Sequence, residues 1–198
     1  MKNINNLLKL IVLMPLLLVG CSSNIEIPKF NAINNSTFPK YNFDASKVVI
    51  NFNQAASHSN DISNEAPVSL ESSLRSWVNS NISADNYNSP YYLKLSVIDA
   101  FITEKKLPSS TSWKNKLGRP QDVEYKAKLA VNFELYEVNN VIPIAEMKVS
   151  VKGEQTLNSG DSLADKQKLL DELVRKMFKD FVKITDNNIY NYLGKFLR

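Results

Sequence analysis

The residues that could carry out covalent or metal chemistry are few in this chain of 198 residues, which holds one cysteine, one histidine and five glycines. Cys21 and His58 are too few for a four-ligand zinc site, an iron–sulfur site or an intramolecular disulfide. A Cys–His or Ser–His catalytic pair would have to use His58. The five glycines form no phosphate-binding loop or dinucleotide fingerprint. His58 lies in a polar stretch, S-H-S-N-D, and we predict a solvated side chain, no metal and no catalytic centre.

The single cysteine directly follows an apolar run. Residues 10–19 are apolar, and Lys2 and Lys9 supply positive charge before them. This run is too short for a membrane span and has the layout of a signal peptide. It ends in Leu18-Val19-Gly20-Cys21, which resembles the bacterial lipobox. The resemblance implies cleavage before Cys21, which would carry covalent diacylglycerol and an N-linked acyl chain such as palmitate. It also implies, from Ser22, the periplasmic face of the outer membrane.

The signal peptide and the lipid site divide the chain into three parts. We predict a cleaved signal peptide over residues 1–20, a lipidated N-terminus and flexible tether over 21–45, and one periplasmic domain over 46–198. The tether prediction comes from two prolines and five asparagines without an apolar period. In the alternative, four aromatic side chains of this segment dock on the domain. These are Phe30, Phe38, Tyr41 and Phe43.

Two segments of the predicted domain have helical periodicity. Over residues 67–82, Leu70, Leu74, Trp77 and Val78 fall on one face, which predicts a helix with Trp77 in the core. Ser69 is the expected N-cap of that helix. A second apolar and aromatic stripe starts after Asp161, where Ser162 and Asp165 form a possible capping box, and Thr185-Asp186-Asn187-Asn188 is expected to break the second helix.

Four segments have strand patterns: residues 46–52, 91–105, 123–138 and 144–156. The last two alternate cleanly between apolar and charged side chains, which predicts a sheet with one buried and one solvated face. In the second, the alternation slips near Ile98-Asp99, which predicts a β-bulge with Asp99 bound to the irregular backbone.

Matching the faces of the last two strands favours a three-residue turn that pairs Asn139 with Pro143. That register sets Glu134 opposite Lys148 and Lys128 opposite Glu154. The element order β-α-β-β-β-α predicts an α+β, two-layer sandwich: a four-stranded, mainly antiparallel sheet with both helices on one face.

The connection after the second of these strands is unusually basic. Its five cations, with no acid among them, surround Trp113: Lys105, Lys106, Lys114, Lys116 and Arg119. We predict that this loop contacts anionic headgroups, lipopolysaccharide phosphates or an acidic partner, with Trp113 at the interface. The alternative is a solvated hairpin extension in which Trp113 covers the sheet edge.

The lipobox together with the element order resembles a group of small proteobacterial outer-membrane lipoproteins. The group includes auxiliary lipoproteins of lipid-transporting ABC systems, the lipopolysaccharide-assembly lipoprotein and YajG-like lipoproteins. The stretches 70–77 and 93–100, with Glu124-Tyr125, also look like an uncharacterised alphaproteobacterial lipoprotein family. The resemblance implies no enzymatic activity and no cofactor beyond the lipid on Cys21.

From these observations we predict a membrane-anchored, non-enzymatic accessory in envelope assembly or lipid transport. Its edge strand or basic loop would contact an envelope protein. The net charge of +4 is too small to argue for nucleic acid. One alternative is a lipid- or amphiphile-binding module that holds its ligand between helices and sheet; a hydrolase is a remote one.

Overall fold

The fold comes from a computed structural model, which describes residues 29–52, 58–108, 121–158 and 160–198. Within these ranges the predicted α+β sandwich is confirmed. The elements in chain order are β1 (Tyr41–Phe43), β2 (Val48–Asn51), α1 (Leu70–Asn81), β3 (Ile82–Ala84), β4 (Tyr91–Lys106), β5 (Gln121–Glu137), β6 (Ala145–Asn158) and α2 (Leu163–Leu193). Short 3-10 turns cover Asn35–Thr37, Ser63–Glu65 and Gly194–Phe196.

The main sheet has the strand order β2-β4-β5-β6. β2 runs parallel to β4, and the other neighbours are antiparallel. The inward side chains of these strands meet the apolar faces of both helices. Trp77 of α1 is fully buried and packs edge-on against Phe181 of α2, with ring centroids 5.7 Å apart. The apolar stripes predicted for the helices therefore form the core.

Residues 41–45 belong to the packed domain and not to a tether. Tyr41 and Phe43 are 1% and 0% exposed and belong to the hydrophobic core, and their strand β1 pairs in parallel with β3 in a separate two-stranded sheet. Upstream, the Phe38 ring lies 6.0 Å from that of Phe178. The docked alternative therefore holds for these aromatic side chains, whose burial outweighs the polar composition around them. Residues 21–28 of the predicted tether lie outside the described residues.

Both predicted helix starts are confirmed. The Ser69 hydroxyl accepts a hydrogen bond from the Ser72 N–H, and Ser162 and Asp165 form a reciprocal capping box. The predicted break in the second helix is wrong, because α2 continues for 31 residues. The Thr185 hydroxyl bonds to the Phe181 carbonyl, and the Asn188 amide to the Ile184 carbonyl. These polar side chains bind the preceding turn of the helix instead of interrupting it.

The predicted register of the last hairpin is wrong by two residues. Glu134 lies opposite Glu146, and Lys128 opposite Lys152, so like charges face each other. The charges of β5 find their partners on the other side: Lys94 of β4 lies 3.6 Å from Glu134. The turn is longer than predicted, since the pairing of β5 with β6 ends at Leu135↔Ala145. On the other side of β5, the Val138 N–H bonds to the Pro90 carbonyl and extends the contact with the segment before β4.

The predicted β-bulge lies between Val97 and Asp99 in β4. Asp99 does not bind the irregular backbone as expected. Its carboxylate instead forms an ion pair with the Lys128 ammonium at 2.8 Å. The bulge reverses which side chains face the helices, so that Ile102 and Glu104 lie on the helix side of the sheet, opposite Ala127 and Tyr125.

Candidate functional surface

The predicted basic surface begins where β4 ends. Lys105 and Lys106 are both exposed there. The Leu107 N–H bonds to the Asp122 carbonyl at 2.7 Å, which closes the base of the β4–β5 connection. The remaining predicted site residues, namely Cys21, Trp113, Lys114, Lys116 and Arg119, lie outside the described residues. The structure thus describes two of the predicted site residues, the lysines at the end of β4, whose side chains lie on opposite faces of the sheet.

Three acids at this end of the sheet form ion pairs with other lysines. Lys166 of α2 lies 2.8 Å from Glu104 and 2.7 Å from Glu65, and Lys126 lies 2.9 Å from Glu124. Lys105 and Lys106 form no ion pair with a described residue. Lys106 also helps to lower the pKa of Glu104 through its charge, but both ammonium groups are exposed and accessible to contacts outside the domain.

The Lys166 cluster is partly buried, and its pKa values follow from that. The hydrogen bond from Lys166 lowers the pKa of Glu104 below its ordinary 4.5, although burial opposes this. Burial also works against the Lys166 charge, but the hydrogen bonds to Glu104 and Glu65 outweigh it and raise the pKa of Lys166. Burial raises the pKa of Tyr125 next to this pair. The cluster therefore holds its charges fixed at neutral pH and binds α2 to the sheet.

An open depression of about 240 Å³ lies beside Lys105. Its walls come from β4, β5 and the segment before α1, which the Glu104 N–H fixes by bonding to the Asn60 carbonyl at 3.1 Å. The lining side chains include His58, Lys105, Glu124 and Lys126.

The prediction of a solvated His58 is wrong. Its ring centroid lies 3.8 Å from that of Phe101, and Nε2 is buried without a hydrogen-bond partner among the described residues. The ring covers the apolar Phe101 side chain, which accounts for its burial. No group of three Asp, Glu, His or Cys side chains that could hold a metal ion occurs in the described part of the chain.

The segment before β1 runs back along both helices. Three backbone carbonyls accept from the Asn81 amide at 3.1 Å, those of Asn35, Phe38 and Pro39. Further upstream, the Arg175 guanidinium donates to the Asn31 carbonyl. Arg175 lies near the middle of α2, so the chain is fixed to the domain about ten residues after Cys21.

The solvated face of the sheet carries an aromatic pair that the sequence analysis did not single out. The rings of Tyr92 and Tyr136 stack at 5.3 Å, and the ammonium of Lys94 lies 5.6 Å from the Tyr136 ring. The available signal was their position: Tyr92 and Tyr136 are directly opposite in the β4–β5 pairing. The Lys166 cluster was not predicted either. The bulge was predicted, but not its consequence that Glu104 lies on the helix side of the sheet, within reach of Lys166.

No described helix is long and apolar enough to cross a membrane. No family model matches the chain, and no curated protein matches it in sequence.

Solved structures of similar fold include a minor lipoprotein from Acinetobacter baumannii, at 12% identity and a TM-score of 0.39, over 72% of this chain and 94% of that one. A Xanthomonas campestris protein of the DUF330 family has 13% identity and a TM-score of 0.37, over 80% and 92%. Rare lipoprotein B from Shewanella oneidensis has 11% identity and a TM-score of 0.33, over 71% and 97%. Likenesses this distant carry no argument about function.

Proposed function

We propose that this chain is a lipid-anchored, non-enzymatic accessory lipoprotein of the bacterial envelope, acting in envelope assembly or lipid transport at the periplasmic face of the outer membrane. The observation that carries the proposal is the sequence Leu18-Val19-Gly20-Cys21 at the end of a short apolar run behind two lysines. An acyl chain contributes about 0.8 kcal/mol per buried CH₂, so that several chains on Cys21 hold the protein at the membrane.

The docked segment supports an orientation of the domain at the membrane. Ten residues separate Cys21 from Asn31, which allows a reach of at most about 35 Å. A tether free to residue 45 would reach more than twice as far. From Arg175, which binds Asn31, the N-terminus of α2 at Leu163 is about 18 Å away along the helix axis. Lys105 and Lys106 lie at that same end, because Lys166 of α2 binds Glu104, which directly precedes them in β4.

The loop end of the domain lies within this reach, and the composition of the basic loop favours it as the part that meets the membrane surface. Five cations without an acid, with Trp113 among them, suit a surface of anionic headgroups or lipopolysaccharide phosphates. Trp is also enriched at membrane–water interfaces. In this orientation the free face of the sheet and the edge of β6 remain available to an envelope partner.

The space between helices and sheet gives no support to the alternative of an enclosed lipid. Fully buried rings fill it, among them Trp77, Phe133 and Phe178. At Gly153 of β6, an added Cβ would meet side-chain atoms of Leu173 and Met177 at 2.8 Å. Ligand binding between the layers would require these side chains to move apart.

Cys21→Ser tests the anchor. In cells that express the full chain, an alkyne analogue of palmitate should label the original chain, which should fractionate with the outer membrane. Cys21→Ser should lose the label and leave the membrane fraction or accumulate with its signal peptide. Ser22→Ala is the matched control and should keep the label. Labelling of the Cys21→Ser chain to the original level would overturn the anchor proposal.

Quenching of tryptophan by brominated lipid tests the orientation. The full lipidated chain is reconstituted in vesicles of neutral lipid or of neutral lipid with added phosphatidylglycerol. Trp77 is fully buried, so quenching should report on Trp113, with Trp113→Phe as the zero reference. We expect strong quenching in anionic vesicles that is lost when the five loop cations become Gln. The double change Lys176→Gln/Lys179→Gln on the exposed side of α2 should leave it intact. Equal quenching with and without the loop cations would contradict this orientation.

A further inference from the structure

The two edges of the main sheet differ in how they are covered. β2 pairs with residues 93–96 of β4, and the segment at Asn60 and Ile62 bonds to the later part of the same strand. β6 lies at the other edge. Among the described residues no strand pairs with its outer side, along the whole of Ala145–Asn158. A regular edge of this length presents a row of free N–H and C=O groups to another strand.

The outer edge of β6 is also accessible. Two open depressions, of about 400 and 340 Å³, lie between β6 and the adjacent side of α2. Their walls are formed by strand residues around Ser150 and Met147 and by helix residues around Ile184 and Tyr192. β6 contains no proline, and its pairing with β5 is regular from Val123↔Leu157 to Leu135↔Ala145. Neither a bulge nor a proline protects this stretch of the edge.

The charges on the solvated face of β6 say which strand would fit. They read Glu146, Lys148, Ser150, Lys152 and Glu154, all exposed. Within the domain, Glu146 faces Glu134 and Lys152 faces Lys128. Like charges opposite each other in a sheet are unfavourable. Neither Glu146 nor Lys152 forms an ion pair with a described residue. Each therefore lacks an opposite charge on the side that faces β5, while the side that faces away from β5 is open to another strand.

A second copy of β6 supplies the missing charges. When two copies run antiparallel with Val149 opposite Val149, Glu146 of each lies opposite Lys152 of the other, twice by symmetry. Lys148 then lies opposite the neutral Ser150. Antiparallel pairing about Ser150 would instead set Glu146 against Glu154 and Lys148 against Lys152. In the pairing about Val149, odd-numbered residues lie opposite odd-numbered residues, so all apolar side chains of both β6 strands stay on the helix side of the joined sheet.

We propose that the free edge of β6 is a self-association surface, on which two copies of this chain pair antiparallel about a two-fold axis at Val149. The result is a continuous eight-stranded sheet with an isologous interface. The two α2 helices flank the junction, with Asp180, Lys183 and Tyr192 along the adjacent depressions.

Charge reversal tests whether a second copy of this chain binds the edge of β6, and whether the two strands pair about Val149. Light scattering that separates protein from detergent mass is applied to the full lipidated chain in detergent micelles, over a dilution series. The original chain should be dimeric. Glu146→Lys and Lys152→Glu should each weaken the dimer about tenfold, because each creates two like-charge pairs across the interface. The double variant Glu146→Lys/Lys152→Glu should restore it to within about threefold.

A second measurement separates dissociation from unfolding. Each single reversal removes a like-charge pair inside the domain, Glu134 with Glu146 or Lys128 with Lys152. At a dilution where the original chain is itself monomeric, the single variants should therefore melt at the same temperature as the original chain or slightly higher. At concentrations where the original chain is dimeric, loss of the dimer by itself lowers the melting temperature. A lower melting temperature of the monomeric variants would mean that they lose the dimer by unfolding, which would count against the proposal.

Two further outcomes would overturn it. A monomeric original chain would mean that the edge serves a strand of another protein or none. The dimer could also be lost in Lys148→Glu and in Glu154→Lys and be restored in the double variant Lys148→Glu/Glu154→Lys. That result would mean a dimer centred on Val151, in which Lys148 of one copy faces Glu154 of the other. In the register proposed, reversal of Glu154 should leave the dimer within about threefold.

Discussion

The two ends of the domain are held together by different kinds of interaction. At the terminal end, where Phe43 bridges to Leu197, the buried contacts are aromatic rings and backbone pairs: Tyr41 packs on Trp77, and β1 pairs with β3. The ion pair of Arg198 with Asp44 at this end is exposed. At the loop end, where β4 passes into the basic connection, Lys166 joins Glu65 and Glu104. Burial of apolar surface contributes several times more per residue than partly exposed ion pairs do. The terminal end should therefore dominate the stability of the domain.

The same difference between the two ends determines which of them can contact another molecule. At the terminal end the rings of Tyr41, Phe43 and Trp77 are buried inside the domain. At the loop end, Glu65, Glu104 and Glu124 are paired with lysines of the domain, while Lys105 and Lys106 are exposed. The exposed lysines of the loop end can contact an anionic surface while the domain stays folded. The buried rings of the terminal end cannot contact a partner unless the domain unfolds.

The largest expected effect is at Trp77. Trp77→Ala removes a fully buried indole that packs on Tyr41, Phe178 and Phe181. It should lower the free energy of unfolding by about 3–5 kcal/mol, as measured by urea denaturation. Val141→Ala, at a 90% exposed position, should change it by less than about 0.5 kcal/mol. Similar small losses in both variants would contradict the dominance of the terminal end.

Tyr41→Phe should have an intermediate effect. The Tyr41 hydroxyl donates to the Asp186 carboxylate at 2.8 Å, and burial and this hydrogen bond raise the pKa of Tyr41. Removal of the hydroxyl leaves a partly buried carboxylate without that donor, at a cost of about 1.5 kcal/mol. Tyr87→Phe, at an 87% exposed ring, serves as the control and should be neutral. A neutral Tyr41→Phe would show that the ring alone holds this contact.

The smallest effect is expected at the loop end, and it should depend on pH. Lys166→Gln should cost roughly 1 kcal/mol at pH 7, because the pair is partly exposed. The lowered pKa of Glu104 means that its ion pair stabilises the domain above the ordinary pKa of 4.5, and that this contribution is lost as the pH falls through the folded-state pKa. The difference between Lys166→Gln and the original chain should therefore shrink towards pH 3. Lys168→Gln, at an exposed position, should show no such convergence, and a constant difference for Lys166→Gln would contradict the assigned charge interaction.

Most of the fold could be predicted because hydrophobic periodicity is a local property. The face that carries Trp77, the N-cap at Ser69 and the capping box at Ser162 each depend on residues within one or two turns. The slip in phase near Asp99 was equally local, and it gave the bulge its correct place. Strand parity also identified correctly which face of the sheet is solvated.

Most of the failures involve partners distant in sequence. The register of the last hairpin was assigned from pairs between β5 and β6, but Glu134 is held by Lys94 of β4. Asp186 looked like a helix breaker because its partner, Tyr41, is 145 residues away. The segment before β1 looked like a tether because its aromatic side chains have no local period. At the candidate surface the composition located Lys105 and Lys106, while the depression at His58 depends on packing against Phe101.

The contact between β1 and residues 196–198 constrains the order in which the domain can form. The Asp44 N–H bonds to the Phe196 carbonyl, and the Arg198 N–H to the Asn42 carbonyl, so β1 and the residue after it are completed by a segment that is far away in the sequence. A growing chain that has not yet reached Arg198 lacks these hydrogen bonds. The terminal end therefore closes only after the whole of α2 has been made, whereas the hairpin of β4 and β5 has both of its strands much earlier.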